Sequence, residues 1–266
     1  MMKNGCVAVG QTDMYYAAFG RGDRALIVLP GLSDGLATVK GKAALLVAPY
    51  RRFLAGYRVY LFSRKNDMPA GYTIRQMAAD QAAAMEALGI SRAAVLGVSQ
   101  GGMIAQYLAI DHPNAVEKLI LAVTAPNANG AVRDAVNAWI AMAARGDHIS
   151  LMTDTAERMY SPAYLAKNRR LFPLLARFTK PKSYGRFFRN AEAILDFDAR
   201  ESLSRIRCPT LILAGAEDRT VGTAAAGELH ERIPDSRLYI YEGLGHGAFQ
   251  EARDFYDRVY AFCEEK

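Results

Sequence analysis

Ala93-Ala94-Val95-Leu96-Gly97-Val98-Ser99-Gln100-Gly101-Gly102 is the stretch on which the reading of this chain turns. Its first half is a short apolar run of the kind that fills a buried strand, and residues 103–109 continue in a helical pattern. Between them, Gly97-Val98-Ser99-Gln100-Gly101 matches G-x-S-x-G, a sharp strand-to-helix turn. A serine at such a turn has strained backbone angles, so its near neighbours must lack bulky side chains. The turn presents the hydroxyl at the top of a sheet and aims the amino end of the next helix at it. That helix end favours the negative charge of a tetrahedral intermediate. Ser99 is therefore the candidate nucleophile.

Outward from this turn, short β-type runs alternate with helical patterns, as in a parallel sheet. Residues 7–9 and 13–19 look like an opening antiparallel pair, and 25–29 form an apolar strand ended by Pro30-Gly31. Residues 41–55 read as a helix and 57–62 as the next strand. Thr73-Ile74-Arg75-Gln76 fits a capping box, and the helix it opens ends at Leu88-Gly89, where glycine suits the left-handed C′ position. Residues 118–123 continue the rhythm, which breaks from about 126 to 197 into helical segments without a strand. It resumes with a strand at 210–213, a helix at 223–232, a strand at 237–241 and a helix at 249–263. The expected fold is α/β: a mostly parallel, twisted sheet of about eight strands with helices on both faces. Residues 1–125 and 198–266 build this core, and 126–197 form a helical cap inserted into it.

Strand direction sorts the other candidates. Loops that follow strands lie at the carboxyl edge of the sheet beside Ser99, and loops that follow helices lie at the opposite edge. Of the four histidines, His112 follows the helix that begins at Ser99, which puts it roughly 18 Å away at 1.5 Å per residue. His230 sits late in the helix after strand 210–213 and also heads for the far edge, and His148 lies in the insertion with nothing to fix it near the serine. His246 directly follows the last strand, in Gly243-Leu244-Gly245-His246-Gly247, and is the candidate general base. The same rule selects Asp218, in the loop after strand 210–213, as the acid that orients His246. Glu217 is one residue off and would point elsewhere; Asp196 and Asp198, at the exit of the insertion, are the rivals. The chain order Ser, Asp, His is the one this arrangement of strands expects.

Composition limits the alternatives. Hydrophobic residues make up 51% and charged residues 23% of the 266, an ordinary globular balance that argues against disorder. No apolar stretch approaches a membrane span, and the amino-terminal residues carry no run of the signal-peptide kind. Cys6, Cys208 and Cys263 are too few and too scattered for a disulfide framework or metal cluster, so a reduced, cytoplasmic protein is expected. The net charge of +6 is concentrated in residues 124–200, with twelve Lys and Arg against seven Asp and Glu. Arg169, Arg170, Arg177, Lys180, Lys182, Arg186 and Arg189 crowd one part of it, and read as a solvated helical surface. No motif supports nucleic-acid binding, and neither a metal nor an organic cofactor is implied.

Together with Leu29-Pro30-Gly31-Leu32 and Cys208-Pro209-Thr210-Leu211-Ile212-Leu213-Ala214-Gly215-Ala216-Glu217-Asp218, these motifs give the chain a close resemblance to the α/β-hydrolase superfamily in its core-plus-cap form. The resemblance covers nearly the whole length. Its tail pieces look like those of esterases, enol-lactone hydrolases and carbon–carbon bond hydrolases. It implies an oxyanion hole made by the backbone N–H groups of Leu32 and Gln100, and a cap that forms much of the substrate pocket, with Trp139, Tyr160 and Tyr164 as candidate substrate contacts. Two motifs depart from the family. Pro30-Gly31 stands where relatives begin the loop with His-Gly, a histidine that usually supports the loop. Phe62-Ser63-Arg64-Lys65 stands where Asp-x-Arg-Gly is usual and keeps only the arginine. The activity expected is hydrolysis of a carboxylic ester or lactone of a small, partly apolar substrate. Carbon–carbon bond or enol-lactone hydrolysis with the same residues, or ligand binding with little turnover, are the alternatives.

Overall fold

The computed structural model describes residues 2–265. Its strands are β1 (Met2–Val9), β2 (Thr12–Gly20), β3 (Arg24–Leu29), β4 (Tyr57–Lys65), β5 (Ala93–Val98), β6 (Val116–Ala122), β7 (Thr210–Gly215) and β8 (Ser236–Tyr241). They form one sheet in the order β1-β2-β4-β3-β5-β6-β7-β8, antiparallel across β1, β2 and β4 and parallel from β4 to β8. Strands β5 and β7 are buried at every position, which explains why they read as unbroken apolar runs rather than alternating ones. The edge strand β1 instead leaves most of its residues exposed.

Helices cover both faces. On one face α2 (Ile74–Ala87), α3 (Gln100–Asp111) and α9 (Ala225–Arg232) bury Met77, Ile104, Leu108 and Leu229 in one apolar core. On the other face α11 (Phe255–Glu264) and a 3-10 segment, Ala48–Phe53, bury Phe53, Phe255, Val259 and Phe262 in a second. The capping box forms as expected: the Thr73 hydroxyl accepts from the Gln76 amide at 3.2 Å, and the Gln76 side chain accepts from the Thr73 amide at 2.9 Å. Gly89 follows with φ of 71°.

Two expected helices are broken. Residues 41–55 fold as α1 (Ala43–Leu46) and the Ala48–Phe53 segment, because Pro49 has no N–H to donate and its ring blocks a continuous α-helix; Tyr50 leaves helical geometry at φ −98° and ψ 15°. Residues 249–263 fold as α10 (Ala248–Glu251) and α11, with Ala252 extended between them at ψ 121°. No glycine or proline signals that break. The burial of Phe255 against Tyr241, Phe249 and Tyr256 accompanies it.

Between β6 and β7 the chain makes five α-helices, α4 (Gly130–Ala144), α5 (His148–Met159), α6 (Pro162–Asn168), α7 (Leu171–Thr179) and α8 (Gly185–Leu195), and then a 3-10 segment, Arg200–Arg205. Entry and exit are tied together by the Ala128 amide on the Phe197 carbonyl at 2.8 Å and the Ala199 amide on the Pro126 carbonyl at 2.9 Å. Among the described residues no helix is long and apolar enough to cross a membrane, and no group of three metal-ligating side chains occurs.

Candidate active site

Ser99 joins β5 to α3 with φ 54° and ψ −119°, a conformation that costs a non-glycine residue energy and is held by its surroundings. The Ser99 amide donates to the Ala122 carbonyl at 2.9 Å, and the Thr124 hydroxyl donates to the Ser99 carbonyl at 2.7 Å. The flanking glycines are required by close approach. A β-carbon on Gly97 would stand 2.5 Å from the Gly101 carbonyl oxygen, and one on Gly101 only 1.9 Å from that of Leu29.

The carboxyl ends of β7 and β8 carry the partners. His246 places Nε2 3.0 Å from Ser99 Oγ and Nδ1 2.8 Å from Asp218 Oδ2. A carboxylate only accepts, so Nδ1 carries the proton and Nε2 is free to accept from the serine hydroxyl. The other Asp218 oxygen accepts the amides of Thr220 at 2.8 Å and Val221 at 3.0 Å, which fixes the carboxylate. Asp218 and His246 are both buried, at 3% and 4% exposure, so their attraction is little screened. Gly215 lets the two loops meet, since a β-carbon there would stand 2.2 Å from the Gly245 carbonyl oxygen.

The other titratable candidates lie apart from this group. Glu217 is exposed, and Asp198 is exposed with its carboxylate on Arg200. Asp196 caps the end of α8 in an exposed position. His112 caps the far end of α3, His230 bonds to Ser236 at 2.9 Å, and His148 meets Thr179 at 3.2 Å inside the insertion.

The loop after β3 runs beside the serine: a β-carbon on Gly31 would be 3.3 Å from Ser99 Cβ and 3.8 Å from its Oγ. Leu32 opens a 3-10 turn, Leu32–Gly35, and Gln100 opens α3. Backbone N–H groups at such helix starts have no intrahelical acceptor. Leu32 and Gln100 are the first residues of such turns, directly after Gly31 and Ser99.

The aromatics of the insertion divide. The Trp139 ring is buried in the apolar core beneath α4, and its Nε1–H donates to Asp154 at 2.8 Å. Tyr160 packs on the loop of His246, since a β-carbon on Gly247 would stand 2.8 Å from its ring, and it stacks on Tyr164 at 4.4 Å. The Gly247 amide also donates to the Met159 carbonyl at 2.7 Å, so the end of α5 touches the histidine loop directly.

Sequence reasoning missed a buried polar cluster next to Gln100. Arg64, at the end of β4, is 1% exposed and donates Nη2 to Gln100 Oε1 at 3.0 Å. Gln100 Nε2 donates to the Asn190 carbonyl on α8 at 2.7 Å. Asp34 Oδ2 accepts the Arg64 amide at 2.9 Å and Arg186 Nη2 at 2.7 Å. Burial pushes the Arg64 guanidinium down to about 10, with Asp34 opposing and neighbouring Arg186 adding to the fall, so it stays charged at neutral pH. The one signal in the sequence was Arg64 itself, the residue retained from the family motif.

A strained serine at the carboxyl edge of a parallel sheet, within reach of a histidine held by a buried acid, is an arrangement that can activate a hydroxyl as a nucleophile. The chain belongs to the α/β-hydrolase fold family, whose profile matches residues 25–252. It is 29% identical over 231 residues to 3-oxoadipate enol-lactonase 2 of Acinetobacter baylyi, covering 85% of this chain and 84% of that one. Its fold is similar to the enol-lactonase of Burkholderia xenovorans, at TM-score 0.82 and 23% identity over 98% of this chain and 100% of that one. It is also similar to MGS-M2, an α/β-hydrolase enzyme from a Medee basin deep-sea metagenome library, at TM-score 0.85 and 19% identity over 98% of each. Family and relatives together support a hydrolase.

Proposed function

We propose that the chain is a serine hydrolase that cleaves a carboxylic ester or lactone of a small, partly apolar substrate. The observation that carries this reading is the unbroken relay from Ser99 Oγ through His246 to Asp218, at 3.0 Å and 2.8 Å. Ser99 attacks the carbonyl carbon while its proton passes to His246 Nε2, and Asp218 steadies the imidazolium. The backbone N–H groups of Leu32 and Gln100 donate to the oxyanion. The C–O bond breaks as His246 returns the proton to the leaving oxygen, leaving an acyl group on Ser99. Water then attacks the acyl carbon, giving its proton to His246, and Ser99 recovers a proton as the acid departs. Residues 126–197 act as the cap over this centre. Of the three aromatic candidates, Tyr160 and Tyr164 are nearest to the histidine loop, and Trp139 has a packing role.

The test is labelling by a fluorophosphonate together with turnover of a p-nitrophenyl ester chain-length panel. Wild type should label at Ser99 and turn over short esters, and Ser99→Ala should lose both while keeping its fold. Labelling at another residue, or turnover that survives Ser99→Ala, would overturn the assignment. Labelling without turnover of any ester would favour ligand binding on this fold.

The similarity to 3-oxoadipate enol-lactonase 2 over 85% of the chain favours one second reading, hydrolysis of an enol-lactone by the same residues. Ring opening then keeps the leaving oxygen on the acyl chain. A lactone hydrolysed far faster than its open-chain ester would select this reading.

A further inference from the structure

We infer that helix α8 is a positioning element for the reaction, with Arg186 its key side chain, because it holds both the turn that starts at Leu32 and the turn that starts at Gln100. The inference rests on the proposed roles of Ser99, Leu32 and Gln100.

Arg186 and Asn190 are one helical turn apart and share a face of α8. The Arg186 guanidinium donates Nε to the Asp34 carbonyl at 3.1 Å and Nη2 to the Asp34 carboxylate at 2.7 Å. It also donates Nη1 to the Lys65 carbonyl at 2.6 Å and Nη2 to the Arg64 carbonyl at 2.8 Å. One planar group thus fastens the end of β4 to the turn that starts at Leu32, two residues before Asp34. These four bonds need the fork geometry of arginine; a lysine ammonium would satisfy only part of the set. One turn along, the Asn190 carbonyl takes the Gln100 side chain, and the Asn190 amide group is itself held by the Arg186 carbonyl at 2.8 Å. Gly35 completes the contact: a β-carbon there would lie 3.0 Å from the Phe187 Cα.

This arrangement answers the two departures in the sequence. Pro30 offers no side-chain support to the loop where relatives carry histidine, and Ser63-Arg64-Lys65 has lost the usual motif. Support for the loop comes instead from the insertion, through Arg186 and Asp34. In this chain α8 belongs with the reaction centre.

The experiment compares wild type with Arg186→Met, Arg186→Lys and Gly35→Ala, using kcat and KM for a p-nitrophenyl ester, the rate of fluorophosphonate labelling at Ser99, and affinity for a phenylboronic acid. Loss of one oxyanion donor lowers kcat by about 10²–10³, so displacing its turn should lower it by about 10–100-fold in Arg186→Met. KM should change by less than about threefold, and labelling rate and boronate affinity should fall in parallel with kcat, since all three use the same donors. Arg186→Lys should fall between wild type and Arg186→Met. Gly35→Ala, which removes no charge, should lose kcat in the same manner and keeps the test open if Arg186→Met does not fold. The pH profile should keep its midpoint, because His246 and Asp218 are untouched. A loss confined to KM, or kcat within about twofold of wild type in the folded variants, would overturn the role of α8. Wild-type turnover or labelling that survives Ser99→Ala would instead overturn the underlying assignment of the centre.

Discussion

At Asp218 the two carboxylate oxygens have separate tasks: one faces His246 and the other holds the amides of Thr220 and Val221. Asparagine would keep the shape, but its oxygen would stay with the two amides and its N–H₂ group would face Nδ1, which favours the wrong tautomer of His246. Asp218→Asn should therefore lower kcat by up to about 10⁴, while Asp198→Asn, exposed and bound to Arg200, should stay within about twofold. Steady-state kinetics on one ester decides between the two acids. A second, structural carboxylate gives a stability prediction. Hydrogen bonds from Arg75 hold the Asp111 carboxyl below the usual carboxylate range. A depressed folded value means that the stabilisation is present above the unfolded value near 3.9 and is lost as pH falls through the lower folded one. The pair is partly exposed, so Arg75→Ala should cost about 0.5–1 kcal/mol at neutral pH, and the difference from wild type should vanish in strong acid. Urea unfolding at both pH values measures it.

At the scale of elements, the same phenylalanine side chain has opposite weights in two helices. Phe255 is 0% exposed where α11 meets the sheet, and Phe178 is 82% exposed on α7. Phe255→Ala should cost about 3–5 kcal/mol and Phe178→Ala less than about 0.5 kcal/mol, as read from denaturant midpoints. Local chemistry made some elements legible beforehand: Thr73 and Gln76 cap α2, and Gly89 ends it. The turn at Ser99 and the loops of Asp218 and His246 were also legible, because strand direction alone decides which loops share an edge. The break between α10 and α11 was not, since no breaker residue marks it and it coincides with packing among Phe255, Tyr241 and Tyr256, which are brought together only in the fold. The buried cluster was hidden for a related reason. Arg186 is 152 residues from Asp34 in the chain, and in sequence it is one more cation in a basic, apparently solvated helix. Burial and pairing across such a distance leave no periodic trace.

For the whole molecule, the question is what the excess of positive charge in the insertion does. A basic cap can speed the arrival of an anionic substrate only if its free charges converge on the entrance. Three of the seven crowded cations are already paired: Arg169 with Glu157 at 2.6 Å, Arg186 with Asp34 at 2.7 Å, and Arg189 with Glu192 at 3.1 Å. Lys180 donates to the Gly146 carbonyl at 2.9 Å. Arg170, Arg177 and Lys182 are left exposed on or beside α7, the helix that also turns Leu171, Leu174, Leu175 and Phe178 to solvent. Charges spread over an outward face are screened within roughly 8 Å at physiological ionic strength and do not focus a field into a site. A substrate ester bearing a carboxylate and its neutral methyl-ester analogue should accordingly show kcat/KM values within about threefold of one another. That ratio should also hold from low to high salt. Replacing Arg170, Arg177 and Lys182 with glutamine should change solubility and leave the ratio alone. A tenfold advantage for the anion at low salt that disappears at high salt, and disappears with those three substitutions, would mean that the cations border the entrance and select the substrate by charge.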